Sequence, residues 1–539
     1  MNEELNRNII QRLAIGDAFR RSASRVPDRI ALVERRNGED IRISYRALNE
    51  QLNRFARAMR RLGLKKGDRI ACLGMNSIEY AVVLYGTPKG AFTFVPINIF
   101  LQPADITFIL DDAQVKVLVF DDAFLPQILS VREGKPRTVE HYLCISMTGE
   151  AGSPAAGILN FRELVDAESS QEVEDVVIWE RDIAEISYTS GATARPKAVM
   201  ISHLATCIPA MQTLIEMAPH LNERTVTGVM LPIFHCGART FVTSGLFVGN
   251  TNVLFRWFDV AQVLESIARE RISLLGGLPM MWRAIYFHPD CGKYDTSSVV
   301  AGIYGMAPMD ETTQRHLAVE KGIALYLNSG QTEFFPPTNY CKPFWQLRKK
   351  GNYWGTPGLM VDGGILDEKG NLLPPGQVGE IVWRGPACME GYLNNPSATE
   401  AARRFGWHHS EDIGFIDEDG LLKFVDRKKD MIKTGGENVS SVRVEETLLA
   451  DPRVQAAAVV GLPHEKWGEA VTAFVVPKTS GELTESDVID HCKKSLAAME
   501  VPKKVVFLNA LPTTSTGKIR KTELREQYRE VFTGSPTSS

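Results

Sequence analysis

The chain has 539 residues, of which 44% are hydrophobic and 23% charged, with a formal net charge of −4. That length exceeds one ordinary domain, and the composition is that of a globular protein with enough apolar material for a large core. The slight acidic excess argues against nucleic acid as the main partner, because such binders carry a strong basic excess.

In chain order, Leu48, Leu52, Phe55, Met59 and Leu62 recur at three- and four-residue steps and Gly63 follows as a stop, which predicts a helix over 45–63. "DRIACLG" reads as a strand, "SIEYAVVLYGTPKGA" as a second helix and "FTFVPIN" as another strand. This alternation continues to about residue 330 and predicts α/β layers with largely parallel sheets. Over about 350–425 the texture changes to short strands with Gly/Pro turns, a β-rich subdomain. After "DRKKD" a helix around 441–450, the strands "VQAAAVVGL" and "AVTAFVVP", a helix at 485–498, the strand "KKVVFL" and a closing helix are expected. The fold class is therefore α/β: a large N-terminal domain (1–428) of layered mixed or parallel sheets with helices and the β-rich subdomain, then a small mobile α+β domain (429–539). No 20–50-residue repeat is visible, and the tail "TGSPTSS" is expected to be disordered.

The eight cysteines are scattered without C-x-x-C spacing, which argues against a zinc site or redox pair and fits a reducing cytoplasm. The start "MNEELNRNII" does not read as a signal peptide. No stretch approaches the roughly 20 apolar residues of a membrane helix.

Five motifs carry chemistry. "TSGATARPKA" (189–198) follows a strand end, and its backbone N–H groups with Thr189, Ser190, Gly191, Thr193 and Lys197 form a plausible polyphosphate cradle. "LPIFH" (231–235) presents His235, "NSGQTE" (328–333) presents Thr332 and Glu333, "GWHHSEDIG" (406–414) presents Asp412, and "LPTTSTGKIRK" (511–521) presents Lys518. Each also has a purely structural reading: a packed ring for His235, a helix cap for Glu333, a turn residue for Asp412, a solvated charge for Lys518.

In this order and spacing the motifs resemble the adenylate-forming superfamily of acyl-CoA synthetases, luciferases and nonribosomal adenylation domains, over nearly the whole chain. "FVDRKKDMIKTGGENVSSVRVEE" is similar to the acid–CoA ligase branch. The resemblance implies a two-step reaction with ATP, coenzyme A and Mg²⁺: a carboxylate attacks the α-phosphate of ATP, and the CoA thiol then displaces AMP. It implies that loop 189–197 holds the β- and γ-phosphates, that Thr332 contacts the α-phosphate and that Glu333 binds Mg²⁺. Met306, Ala307 and Pro308, with Ser329, Gly330 and Gln331, would line the adenine and acyl pocket. Asp412 and Arg427 would hold the ribose, and Lys518 would stabilise charge growing during adenylation. Lys429 would be the hinge of a rotating C-terminal domain. Lys433, Gly435, Gly436 and Glu437 would shape the pantetheine tunnel.

The sequence departs from the family's phosphate loop, T-S-G-T-T-G-x-P-K-G, at Ala192, Ala194 and Ala198. Ser329 stands where the family has tyrosine, and Glu411 where it has glycine before the ribose aspartate. These changes cluster on the nucleotide side and leave three readings open: a complete ligase, an enzyme that makes thioester only from preformed acyl-AMP, and a catalytically silent adenylate-binding homologue. The stretch 229–258 contains no Asp or Glu to pair an ammonium group. With "GGLPMMW" (276–282), it favours a hydrophobic or bulky carboxylic acid, free or as its adenylate, over an amino acid. The particular acid and the oligomeric state, a homodimer included, are not legible.

Overall fold

The computed structural model describes residues 3–148, 155–189, 196–307, 309–479, 481, 483–513 and 519–532. The chain forms two compact units, Met1–Gly363 with Trp383–His408, and Gly364–Val382 with His409–Ser539.

The first unit is α/β, as expected. One sheet runs in the order Gly391–Tyr392, Lys197–Ser202, Ile183–Thr189, Thr93–Pro96, Arg69–Leu73, Val115–Asp121, His141–Ile145, Ile158–Asn160. It is parallel except at the two pairings of Lys197–Ser202. A second sheet contains the adjacent strands Ala324–Gln331, Ala301–Tyr304, Leu274–Gly277, Val226–Val229, Thr251–Leu254 and Ile30–Arg36, all parallel.

The helix predicted from residue 45 is Tyr45–Arg61. Ser44 caps it, accepting from the Ala47 N–H at 3.3 Å. Leu48, Leu52, Phe55 and Met59 are buried, and Gly63 takes φ 92°, the left-handed conformation that ends helices. The next strand, Arg69–Leu73, buries Ile70 through Leu73 completely, as a parallel strand covered on both faces does.

In the second unit, His409–Ile416 of one strand pairs antiparallel with Leu422–Arg427. A further sheet orders Glu437–Val439, Ile432–Thr434, Gly468–Pro477 and Val454–His464, with Lys504–Phe507 parallel to Gly468–Pro477. The helices are Ser441–Leu449, Glu485–Lys493 and Lys521–Gln527; the middle one ends at Lys493, short of 498. Residues 409–428 group with the C-terminal segment because Asp426 accepts from the Ser441 N–H and hydroxyl at 2.6 and 2.7 Å, while Ser440 Oγ donates to Val425 O at 2.8 Å. Among the described residues no helix is long and apolar enough to cross a membrane.

Candidate active site

Four motif segments of the first unit leave the C-terminal ends of four neighbouring parallel strands. Val226–Val229 leads into 231–238, Leu274–Gly277 into 278–282, Ala301–Tyr304 into 305–307, and Ala324–Gln331 into 332–333. In open α/β sheets the carboxyl ends of strands are where ligands bind.

Thr332 and Glu333 are the two central residues of a tight hairpin, since Gln331 and Phe334 are partners across it. Glu333 is therefore no helix cap. Thr189 and Lys197 are partners across the strands Ile183–Thr189 and Lys197–Ser202. Thr189 meets the Thr332–Glu333 turn. Thr189 Oγ1 donates to Glu333 Oε1 at 3.4 Å, and Tyr392 OH donates to the same oxygen at 3.1 Å. Lys197 Nζ lies 5.0 Å from the centre of the Tyr392 ring. Glu333 Oε2 has no hydrogen-bond or ion-pair partner among the described residues.

Thr332 Oγ1 lies 3.5 Å from Cys236 Sγ. Burial pushes the Cys236 thiol up, so it stays protonated beside the hydroxyl. His235 precedes the helix Cys236–Val248, and its ring lies 4.5 Å from that of Phe234. Arg239, one turn into this helix, donates to the Ile233 and Phe234 carbonyls at 3.3 and 2.5 Å and also to Glu185 and Ser187 on the strand Ile183–Thr189. On the other side, a Cβ at Gly305 would sit 2.5 Å from Asn328 O, so the turn carrying Met306 (φ 67°) and Ala307 packs against the segment holding Ser329. A Cβ at Gly330 would meet Pro336 Cβ at 2.7 Å. Gln331 Oε1 lies 3.4 Å from His408 Nε2. The Ser329 hydroxyl and both amide atoms of Asn328 are buried without a hydrogen-bond partner among the described residues. Ser190, Gly191, Thr193, Pro308 and Lys518 lie outside the described residues.

A family model for AMP-binding enzymes matches residues 19–393, and one for the AMP-binding enzyme C-terminal domain matches 443–518. The chain belongs to the AMP-binding enzyme family. It is 33% identical to a feruloyl-CoA synthase of Amycolatopsis sp over 488 residues, 90% of this chain and 94% of that one. It is 32% identical to the long-chain-fatty-acid–CoA ligase FadD13 of Mycobacterium tuberculosis over 521 residues, 95% and 98% of the two chains. The solved structure of the anthranilate CoA ligase AuaEII with anthranoyl-AMP superposes with a TM-score of 0.85 at 25% identity, covering 96% of this chain and 98% of that one. Within the adenylate-forming superfamily the chain is an acid–CoA ligase.

The second unit of this AMP-binding enzyme holds the remaining described candidates. Asp412 and Arg427 face each other across an antiparallel pair, with Arg427 Nε 3.8 Å from Asp412 Oδ1. Asp412 is buried and Arg427 exposed. Glu411 sits at φ 60° and its N–H donates to Glu380 Oε1 at 3.2 Å. Lys429 is exposed, and its neighbour Asp430 pairs with Arg525 at 2.7 Å. Thr434 and Glu437 are hairpin partners around Gly435 (φ 59°) and Gly436 (φ 88°), the backbone signs of a type I′ turn. Gly435 is also needed for close packing, because a Cβ there would meet Met499 Cε at 2.6 Å; at Gly436 a Cβ would meet nothing within 4 Å, so the turn alone demands glycine. Lys433 is exposed and its N–H donates to Glu469 at 2.7 Å.

Tyr392, Cys236 and the Arg239–Glu185 pair are the site features that motif reading did not assign to the nucleotide side. Their signal is tertiary: Tyr392 is 59 residues from Glu333, and Arg239 is 54 from Glu185.

Proposed function

We propose that this acid–CoA ligase works through an acyl-AMP intermediate on a hydrophobic, bulky carboxylic acid. The observation that supports the reading is the meeting of the paired residues Thr189 and Lys197 with the Thr332–Glu333 turn through Glu333 and Tyr392, with Cys236 of the segment 231–238 against Thr332. In the first step a carboxylate oxygen of the acid attacks the α-phosphorus of ATP, and the bond to pyrophosphate breaks. In the second the CoA sulfur bonds to the acyl carbon, the carbon–oxygen bond to AMP breaks, and the thiol proton is released.

Lys197, with no carboxylate partner among the described residues, is suited to the β- and γ-phosphates, and Thr332 to the α-phosphate. Glu333 fits a Mg²⁺ ion through Oε2, the oxygen left over by Thr189 and Tyr392. Among the described residues there is no cluster of three or more metal-ligating side chains. One carboxylate plus substrate phosphates is how proteins commonly hold this ion, which neutralises phosphate charge when bound. Asp412, with Arg427, is assigned to the ribose hydroxyls, and Lys518 to charge developing in adenylation. Lys429 is assigned as the pivot that exchanges Lys518 for the hairpin Ile432–Val439, whose glycine turn then lies along the pantetheine arm.

The pocket segments and the relatives support the substrate class. The feruloyl and anthranoyl groups in the relatives' names are aromatic and the long-chain acyl group is aliphatic, and none carries an ammonium charge near pH 7. Here no Asp or Glu lies in 229–258, and the nearby buried carboxylate, Glu185, is engaged by Arg239. An ammonium-bearing substrate would find no counter-charge there.

A narrower reading has one specific support: alanines stand at 192, 194 and 198 of the phosphate loop, and thioester formation from acyl-AMP needs no β- or γ-phosphate. Two assays separate the readings. Aromatic and long-chain acids with ATP, Mg²⁺ and CoA are expected to yield acyl-CoA and pyrophosphate. Synthetic acyl-AMP with CoA is expected to yield acyl-CoA as well. Product from the second assay alone would establish the thioester-only enzyme, and product from neither would overturn both.

A further inference from the structure

The strand Ile183–Thr189 has different surroundings at its two ends. Thr189 belongs to the candidate active site. Around Ile183, six residues earlier and so roughly 20 Å away along a strand, lies a cavity of about 180 Å³. None of the residues assigned above to nucleotide, acid or CoA lines it.

Its polar lining is Lys66, Arg69, Thr93, Asp182 and His203, and the Thr93 hydroxyl already donates to Ile183 O at 2.8 Å. His203 is 1% exposed, and its Nδ1 accepts from the Ile15 N–H at 3.3 Å. A neutral imidazole that accepts at Nδ1 carries its proton on Nε2. Burial pushes the His203 pKa down to about 4, so the ring is neutral near pH 7. The Nε2–H has no acceptor among the described residues. The half-buried Arg69 guanidinium likewise makes no hydrogen bond or ion pair among them. Lys66 and Asp182 pair at 2.7 Å, and Asp182 also accepts from the Trp179 N–H at 2.8 Å. These two charges cancel, which leaves one positive charge, that of Arg69, and one neutral donor on the cavity wall. The remaining wall is apolar, with Ile178, Ile186, Met200 and Leu393. A cavity of roughly 150 Å³ accommodates a benzene-sized body.

We propose that this cavity is a second ligand site, which takes a small monocarboxylate with an apolar body and holds its carboxylate between the Arg69 guanidinium and the Nε2–H of His203. The charge balance selects a monoanion, and the apolar wall selects an organic body over inorganic phosphate. The inference is independent of the acyl-AMP reading, since the cavity shares the strands of the phosphate hairpin but none of the residues assigned to that reaction.

The test uses the full-length protein with its catalytic site saturated by a benzoyl sulfamoyl adenosine, a non-reacting mimic of an acyl-AMP. Binding of 4-fluorobenzoate is read by fluorine NMR, with neutral 4-fluorobenzamide as the comparison. A bound 4-fluorobenzoate population is expected in the blocked enzyme, weakened at least tenfold by Arg69→Met and partly retained in Arg69→Lys, with the amide binding at least tenfold more weakly. No bound population in the blocked enzyme, or binding unchanged by Arg69→Met, would overturn the proposal. Should Arg69→Met fail to fold, the acid and amide on the unaltered protein decide: equal binding of the two overturns it.

Discussion

Arg239 and Glu185 form a buried ion pair that ties the helix Cys236–Val248 to the strand Ile183–Thr189. Both are at most 5% exposed, and Arg239 also donates to Ser187 Oγ at 3.0 Å and to the Phe234 carbonyl at 2.5 Å. Burial pushes the Glu185 carboxyl up, and Arg239 and Ser187 pull it back. Removing one partner strands the other charge, so Arg239→Met is expected to lower unfolding free energy by about 3–5 kcal/mol in urea titrations. The double variant with Glu185→Gln is expected to recover part of that loss. Equal stabilities of the single and double variants would show that the two side chains are not coupled.

Glu333→Gln keeps the hydrogen-bond acceptor that Thr189 and Tyr392 use but removes the charge. Acid-dependent pyrophosphate release is expected to fall by about two orders of magnitude or more, the scale of losing one electrostatic stabiliser of a transition state. The dependence on Mg²⁺ concentration should shift upward as well. Activity and Mg²⁺ response like those of the unaltered enzyme would remove Glu333 from its assigned role.

Glu411 holds a left-handed backbone at φ 60° without glycine's freedom. That conformation costs a non-glycine residue about 1–2 kcal/mol, and glycine returns about 0.4–1 kcal/mol of it through the more flexible unfolded chain. Glu411→Gly is therefore expected to raise unfolding free energy by about 0.5 kcal/mol. If the exposed carboxylate stands near the nucleotide, the same variant lowers KM for ATP. A drop in thermal midpoint would contradict the strain argument.

Ser329→Tyr tests the other altered position. Its hydroxyl is buried without a partner among the described residues, so replacement breaks no hydrogen bond among them. A ring able to stack on adenine is expected to lower KM several-fold for ATP and for synthetic acyl-AMP alike, because both carry the base. Steady-state kinetics in the two assays check this, and a KM unchanged in both would refute the stacking role.

His203 gives a pH signature. Burial lowers its pKa to about 4; Asp182 and Asp17 oppose the shift, and Arg12 and Lys66 add to it. The folded value lies below the unfolded value of about 6.5. The stability linked to the neutral ring is therefore fully present above about pH 6.5 and is lost as pH falls through about 4. Compared with His203→Asn, the unaltered protein should lose about 2 kcal/mol more between pH 7 and 4.5. Parallel stability curves for the two proteins would refute the buried neutral ring.

Much of the fold was legible because local and global preferences agree. Leu48, Leu52, Phe55 and Met59 mark a helix by spacing, and Gly63 marks its end. Thr332 and Glu333 stand out in the sequence as candidate site residues but not as a hairpin tip, because a two-residue turn without glycine or asparagine carries little local signal. Arg239 and Glu185 are ordinary charges in sequence, and only the packing of helix against strand pairs them. The helix expected to reach 498 stops at Lys493 with no proline or glycine to announce it. Gly435 and Gly436 read alike as glycines for close approach, yet only Gly435 has a neighbour that a side chain would strike.

The partnership of Thr189 with Lys197 has a use in protein engineering. Thr189 and Lys197 sit opposite each other in the strand register, so any replacement of residues 190–196 begins and ends at paired strand positions. For a connection of fixed length the closure entropy is set by that length, apart from glycine and proline effects. Exchanging the seven residues 190–196 for those of a relative of equal length is therefore a swap bounded by the strand Ile183–Thr189 on one side and Lys197–Ser202 on the other.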